Sequence, residues 1–533
     1  MRVTSRCGTC RARKIKCDRG RPACKRCVST GRVCEGYGVW GGGNNPSNQK
    51  WPMARAPLLV AQAISPMASG RLSPDERVYT EWFVQNTAAR MSGVFISTFW
   101  HTLILQANFH ETAILHATVA LAAAHKRHML SLDAPNDDES LDEEERYTLC
   151  QYNKAITHIR PFFANKDRAS VRVVLITCMI FTCLEFLRGR YQTGHQHLRN
   201  GLRLLEETHP HDNSSEDAWL FEVFFTLNVQ TALFQYSLTP KQMQRPPPLP
   251  SIPSSTQFDN ILQARQSLDR FSNMTYRLYA EQRLPEDPRP YTEMLLCQRF
   301  VSESLSNWKS AFDGLQTNLL TGSAQALSRF DTYALYILHI NYTLTTILAA
   351  TCLRREDEMV FDHHTPSFNS ILEQLVNLMK LVSPQKLTTD PTASGCERWA
   401  FCADMGVIPP LYYTAIKCRV LHLRRRAIEL LRLANNQEGI WDATLCAAIA
   451  EVAIRDEELR SGFHINANGS PLGEHESEAM IPEQARIQDI EIILPDEPRG
   501  RVGVVYKRRQ EDGSWGSFER DFVYVRQSGY AMV

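Results

Sequence analysis

From Ser73 onward, apolar residues recur at helical spacing in one segment after another. The first segment opens on Ser73-Pro74-Asp75-Glu76. That motif combines a capping serine, a proline at the first helical position and a glutamate placed to close a capping box. Behind it, Tyr79, Trp82 and Phe83 share a face. Ile114 to His125 is alanine-rich and carries Leu115, Val119 and Leu121; Arg172 to Leu187 is apolar on most sides. His195 to Glu207 carries Leu198, Leu202 and Leu205. Asp217 to Phe234, Ser323 to Leu353, Ser370 to Leu381, Pro409 to Leu433 and Trp441 to Leu459 continue the pattern. Apolar residues at i, i+3 and i+4 in several of these predict helices. The breaks fall at Pro135 with the acidic run Asp137 to Glu145, at Pro210, and at Pro246-Pro247-Pro248-Leu249-Pro250. Beyond residue 460 the chain turns polar. It then reads as strand from Arg501 to Tyr506 and from Phe518 to Val525, with a turn at Asp512-Gly513, which predicts a β-hairpin. No repeat of fixed period runs through the chain.

Before Ser73 this patterning is missing. Residues 35–72 hold Gly36, Gly38, Gly41, Gly42, Gly43, Asn44, Asn45 and Pro46, followed by Pro52, Pro57 and Pro66. No apolar heptad is visible there, so the stretch reads as a flexible linker rather than a coiled coil. The expected architecture is therefore mostly α. A small N-terminal module at 1–40 leads through a linker at 41–72 to a large all-α helical body at 73–460. A polar C-terminal region at 461–533 carries the hairpin.

Composition adds little to this picture, but charge adds much. A hydrophobic content of 43% and a charged content of 22% suit a soluble globular protein of two or three domains. Residues 1–34 hold eleven basic side chains and one acid, Asp18, for a net charge of +10. The whole chain, with 59 basic and 58 acidic residues, stands at +1, so everything after residue 34 stands at −9. A basic module on a mildly acidic body is the electrostatic footprint of a nucleic-acid binder.

The same segment holds six cysteines, Cys7, Cys10, Cys17, Cys24, Cys27 and Cys34, in two halves of identical spacing, C-x2-C-x6-C. Repeated C-x2-C pairs favour metal over disulfides. Structural zinc takes four ligands, so two ions need eight ligand positions and two of the six sulfurs must be shared. The pseudo-symmetry makes Cys7 and Cys24 the natural bridges. Cys10 and Cys17 then complete one ion, and Cys27 and Cys34 the other. A segment this short buries no self-sufficient core, so metal must supply most of its folding free energy. The other nine cysteines show no ligand spacing. They read as buried thiols in a reducing compartment.

These residues resemble the fungal Zn2Cys6 binuclear cluster family of transcription factors. The match covers Cys7 to Cys34, including the basic run before the third cysteine. The resemblance implies two Zn2+ ions and binding to double-stranded DNA. It also implies a first short helix, Cys10 to Lys16, that enters the major groove and reads a CGG-like triplet. Lys14 matches the family's main base-reading lysine and Arg13 the basic residue before it. Arg11 and Lys16 lie in the same run. The second half encloses fewer basic residues, so Lys25 and Arg26 are expected to hold phosphates. The body from 73 to about 460 resembles the helical regulatory domain of the same factors, through Phe95 to Trp100, His116 to Ala122 and Asn228 to Phe234.

Other readings carry less. Residues 332–353 contain no charged side chain and are long enough to span a bilayer, but His339, Asn341 and five threonines favour a buried core helix. The pairs His125 with His128, His195 with His197 and His363 with His364 lack a zinc-protease pattern and read as surface or satisfied residues. No phosphate loop, nucleophile elbow or kinase set is present, so no enzyme is expected. The acidic run reads as a solvated loop. The basic run Arg11 to Lys16 also suits nuclear import. The expectation is a nuclear, zinc-dependent, sequence-specific regulator of RNA polymerase II transcription. Co-regulators are potential partners, no membrane is involved, and any dimerisation runs through the helical body. The rival is a zinc-containing scaffold that contacts protein without sequence-specific DNA binding.

Overall fold

A computed structural model of the 533-residue chain describes residues 10, 13–18, 24–30, 32, 72–95, 97, 99–108, 110–131, 140–164, 167–208, 218–234, 257–281, 290–321, 327–354, 357–382, 401–434, 436–462, 479–497, 499–525 and 529–532. Cys7, Cys34 and Arg11, the linker up to residue 71, Pro135, Pro210, Cys396 and the proline run from Pro246 lie outside the described residues. The described chain is mostly helical, with the small cysteine module at its start and strands near its end. It divides into two compact units, Met1–Met91 with Ser97–Leu184 and Arg199–Phe221, and Ser92–Ile96 with Glu185–Leu198 and Glu222–Val533.

In the first unit the helix Pro74–Trp82 begins as its sequence dictates. The Ser73 hydroxyl accepts from the Glu76 amide at 3.2 Å, and the Glu76 carboxylate accepts from the Ser73 amide at 3.1 Å. That carboxylate is buried and also receives Lys154 at 3.1 Å and Gln151 at 3.3 Å. Burial alone would raise the Glu76 pKa, but the donors from Ser73, Lys154 and Gln151 outweigh it and hold it low. The helices Thr112–Ser131 and Ser140–Ile159 pack on one another. His125 is fully buried in this core, with Nδ1 3.0 Å from the Thr87 hydroxyl, and desolvation drives its pKa down to about 3. It is a buried core histidine with one ring nitrogen hydrogen-bonded.

The acidic run is a correction from Ser140 onward, Asp137 to Glu139 lying outside the described residues. Residues from Ser140 to Glu145 open a helix instead of continuing a loop. Acidic side chains suit a helix N-terminus, where the peptide dipoles point their positive ends. Glu145 also pairs with Arg127 on the facing helix at 2.6 Å. The buried side of the helix, Thr148, Gln151, Ala155 and Ile159, completes the packing.

The second unit has a core the periodicity only half foresaw. The helices Ile261–Glu281 and Tyr291–Thr321 stand beside Arg329–Thr351 and enclose Trp308. Its indole donates to the Ala264 carbonyl at 2.8 Å and stacks on Phe312 and Tyr342. The helix Tyr291–Thr321 leaves Leu296, Phe300 and Leu320 exposed. That scatter of apolar residues hides its buried stripe in the sequence. The uncharged segment expected as a core helix is the helix Arg329–Thr351, with 61% of its most apolar window buried.

Pro409 to Leu433 is two helices, Ile408–Lys417 and Leu421–Ala434, not one. Cys418 is extended, and Val420 bridges to Met480. The Ile481 amide donates to the Arg419 carbonyl at 3.1 Å and the Leu421 amide to the Ala479 carbonyl at 3.2 Å. A partner some sixty residues away thus takes the backbone groups that would have continued the helix. Glu438 caps the first of these helices from a distance, accepting from the amides of Gly406, Val407 and Ile408 at 2.9–3.1 Å.

The C-terminal hairpin is present and larger than expected. Arg499–Arg509 pairs antiparallel with Trp515–Val525, and Ile487–Ile493 and Gly529–Met532 extend this to a four-stranded meander. Gly513, at φ +82°, supplies the left-handed turn residue.

Candidate nucleic-acid interface

The module begins from its sulfurs. Cys10, Cys17, Cys24 and Cys27 are its buried side chains among the described residues, and Ile15 is the apolar residue packed against them. The Sγ atoms of Cys10 and Cys24 lie 3.6 Å apart, and those of Cys10 and Cys27 3.9 Å. The three sulfurs of Cys10, Cys17 and Cys24 lie within 4.8 Å of one another. A tetrahedral zinc with Zn–S of about 2.3 Å spaces its sulfurs about 3.8 Å apart. The donor set therefore fits soft, thiolate-bound metal, and Cys10 approaches the sulfurs of both Cys24 and Cys27 in the second half.

The backbone between the sulfurs corrects the expected helix Cys10 to Lys16. Cys10 is helical, but Arg13 and Lys14 form a turn and Ile15 to Asp18 are irregular. The Ile15 amide donates to the Cys10 carbonyl at 3.0 Å, and Lys14 has φ +55°. A six-to-one bond around a left-handed residue, with the following apolar side chain folded onto the core, is a Schellman closure. The closure stops the helix early because Cys17 must return to the metal site. It leaves Lys14 exposed at the point where the chain reverses.

The second half is held by Asp18. Its two carboxylate oxygens accept from the amides of Lys25 and Arg26, each at 3.0 Å, at the start of the short helix Lys25–Val28. The Cys24 sulfur accepts from the Cys27 amide in the same turn. Arg13 reaches Thr30 across the two halves at 3.5 Å, and Thr30 is itself bonded to the Arg26 and Cys27 carbonyls. Sequence reasoning counted Asp18 only as the one acid in a basic run. That isolation was the available signal, since an acid retained among eleven cations has a local role to play.

Of the expected DNA-contacting residues, Lys14, Lys16, Lys25 and Arg26 are exposed and Arg13 is half-buried. None of the four exposed ones is paired with a carboxylate among the described residues. Asp18 is turned onto backbone amides and so leaves the Lys25 and Arg26 side chains to solvent. Positive charge is thereby presented, not neutralised. Of the remaining cysteines, Cys183, Cys352, Cys402, Cys418 and Cys446 are buried as expected, Cys178 and Cys297 are half-buried, and Cys150 is exposed. Desolvation raises the Cys178 thiol to about 12 and pushes Cys183 up as well, so both are inert at neutral pH.

Comparison with known proteins agrees with this geometry. Residues 6–39 match the fungal Zn(2)-Cys(6) binuclear cluster domain, and residues 78–280 match the fungal specific transcription factor domain. The chain is 24% identical to the aspercryptin biosynthesis cluster-specific transcription regulator of Emericella nidulans over 90% of each chain. It is 27% identical to transcription regulator lscL of Purpureocillium lilacinum over 37% of this chain and 48% of that one. It is 53% identical to transcriptional regulatory protein moc3 of Schizosaccharomyces pombe over 7% of each. No solved structure matches the chain.

Proposed function

Since the chain joins a fungal Zn(2)-Cys(6) cluster domain to a fungal specific transcription factor domain, we propose that it is a nuclear regulator of RNA polymerase II transcription that reads a CGG-like triplet. Two Zn2+ ions would be held by Cys7, Cys10, Cys17, Cys24, Cys27 and Cys34, with Cys7 and Cys24 bridging. Bound zinc supplies structural cross-linking and keeps the thiols ionised. Lys14, beside Arg11, Arg13 and Lys16, reads base edges in the major groove, while Lys25 and Arg26 neutralise phosphates. The observation that carries this reading is the clustered cysteine sulfurs beside the exposed basic side chains of Lys14, Lys16, Lys25 and Arg26. Residues 1–40 form the reading module and 73–460 the regulatory body. The module alone engages one triplet, and dimers depend on the helical body.

Selection of bound sites from random duplexes tests the proposal. The wild-type chain should enrich a CGG-like motif, and Lys14→Ala should lose preference at one of its positions, a cost of about 1–3 kcal/mol. Lys25→Ala should weaken all sequences alike. An unchanged motif with Lys14→Ala would refute the assignment of the first half as reader. Failure to enrich any motif would favour the protein-scaffold reading.

A further inference from the structure

Within the second unit, the helices Ile261–Glu281, Arg329–Thr351 and Ile408–Lys417 border a narrow cleft of about 820 Å³, its open mouth included. The part of it open to a water-sized sphere is only about 60 Å³, so it admits a narrow chain rather than a bulky ring. The walls are apolar and aromatic, with Leu344, Leu348, Phe361 and Met405 among them. Hydroxyls also line the cleft, and four of them commit their protons to backbone carbonyls. Thr275 donates to the Phe271 carbonyl, Thr345 to Asn341, Thr351 to Ile347, and Tyr413 to Leu233. The walls therefore offer a ligand mainly apolar surface.

Four charged residues also line the cleft, the cations Arg354 and Lys417 and the carboxylates Glu358 and Asp489. Lys417 lines the cleft with its ammonium 4.9 Å from the centre of the Phe361 ring. It belongs to a buried chain of alternating charge. Glu358 takes Lys417 at 2.6 Å and Arg419 at 2.8 Å, Arg419 also meets Glu457 at 3.4 Å, and Glu457 takes Arg424 at 2.6 Å. None of these side chains is more than 8% exposed. Three cations thus share two carboxylates, a buried surplus of one positive charge. Adjacent charges do not cancel it. Arg486 pairs with Asp362, Glu458 beside Arg424 pairs with Arg425, Asp489 in the lining pairs with Lys507, and Arg354, also in the lining, faces Asp357. Of the three cations in the chain, Lys417 is the one that lines the cleft. An uncompensated buried charge is costly and is relieved by an anion brought to it.

We propose that this cleft binds a small amphipathic carboxylic acid, with its apolar body along Leu344 and Leu348 and its carboxylate on Lys417. The site is independent of the zinc module and of the DNA reading. The variant Lys417→Met is informative because it leaves two cations on two carboxylates, a balanced chain, and keeps the length of the side chain. Leu348→Trp fills the cleft from a half-buried position.

Calorimetric titration of the full chain with decanoate, decan-1-ol and decylamine, each below its aggregation concentration, tests the proposal. Decanoate should bind at least tenfold more tightly than decanol, and decylamine least. Lys417→Met should abolish the preference for the acid while decanol affinity stays within about twofold, which also reports an intact cleft. Leu348→Trp should weaken both ligands at least tenfold with unchanged helical ellipticity. Equal affinity for acid and alcohol, tighter binding of the amine, or acid binding indifferent to Leu348→Trp would overturn the proposal. So would no binding of decanoate to the folded wild-type chain. If Lys417→Met fails to fold, the wild-type series and Leu348→Trp still decide.

Discussion

Two regions of this molecule keep their shape by different means. Between Cys10 and Arg32 the described buried side chains are four cysteines, with one isoleucine leaning on them. Around Trp308 the buried side chains are a dozen and a half apolar residues, and the indole is hydrogen-bonded and stacked. The first region has too little apolar area to pay for its ordering, so a ligand-dependent cross-link must hold it. The second closes on itself. On the proposed reading, one region is switchable by metal, and the other by whatever enlarges or fills its interior.

The comparison breaks most sharply on chelation. Removal of zinc from the full chain should unfold the module and abolish DNA binding, since metal contributes roughly 10–16 kcal/mol to small zinc modules. The far-ultraviolet ellipticity, dominated by the helical body, should change little. Loss of most of that ellipticity on chelation would show that the body also depends on metal. The converse is Trp308→Ala, which should destabilise the second unit by about 3–5 kcal/mol in a denaturant titration. Zinc content of the folded chain should be unchanged.

Acid should act outside both regions, on the helical core of the first unit around His125. His125 in the folded state has a pKa of about 3, so below the unfolded value of about 6.5 the unfolded chain binds a proton that the folded chain does not. Stability contributed by neutral His125 is complete above about pH 6.5 and falls as pH drops. At pH 5 the loss is about 2 kcal/mol. His125→Gln should flatten that slope in unfolding measured at pH 5 and pH 7, and an unchanged slope would remove His125 as its source. The smallest effect is expected for Asp18→Ala. Losing the two amide contacts should cost the module about 0.5–2 kcal/mol, by analogy with helix caps. The loss should read as weaker zinc retention under competing chelator, with Asp18→Asn intermediate.

Legibility in the sequence varied with the range of the interactions. The capping box at Ser73 was readable because serine and glutamate lie three residues apart and satisfy one another. The hairpin around Gly513 was readable for the same reason, whereas its flanking strands, Ile487–Ile493 and Gly529–Met532, were not. The cysteine spacing pointed to metal on its own, because ligands with two and six residues between them are a local pattern. The helix Tyr291–Thr321 escaped notice because Leu296, Phe300 and Leu320 lie on its outer face and blur the stripe. The acidic start of Ser140–Ile159 was misread because charge alone does not tell a solvated loop from a helix N-terminus.

By itself the sequence determined the cysteine chemistry, the charge asymmetry, the helical character of the body and most local start signals, because each depends on residues a few positions apart. Only the tertiary structure decided where helices stop and what their charges do. Lys14 turns left-handed because the chain must bring Cys17 back to the sulfurs. The break at Cys418 exists because residues 479–481 claim the backbone there. The surplus charge at Lys417 exists because Glu358, Arg419, Glu457 and Arg424, spread over some seventy residues, are folded into one buried line. Desolvation and long-range pairing act between residues that the chain brings together only on folding, so no local pattern encodes them.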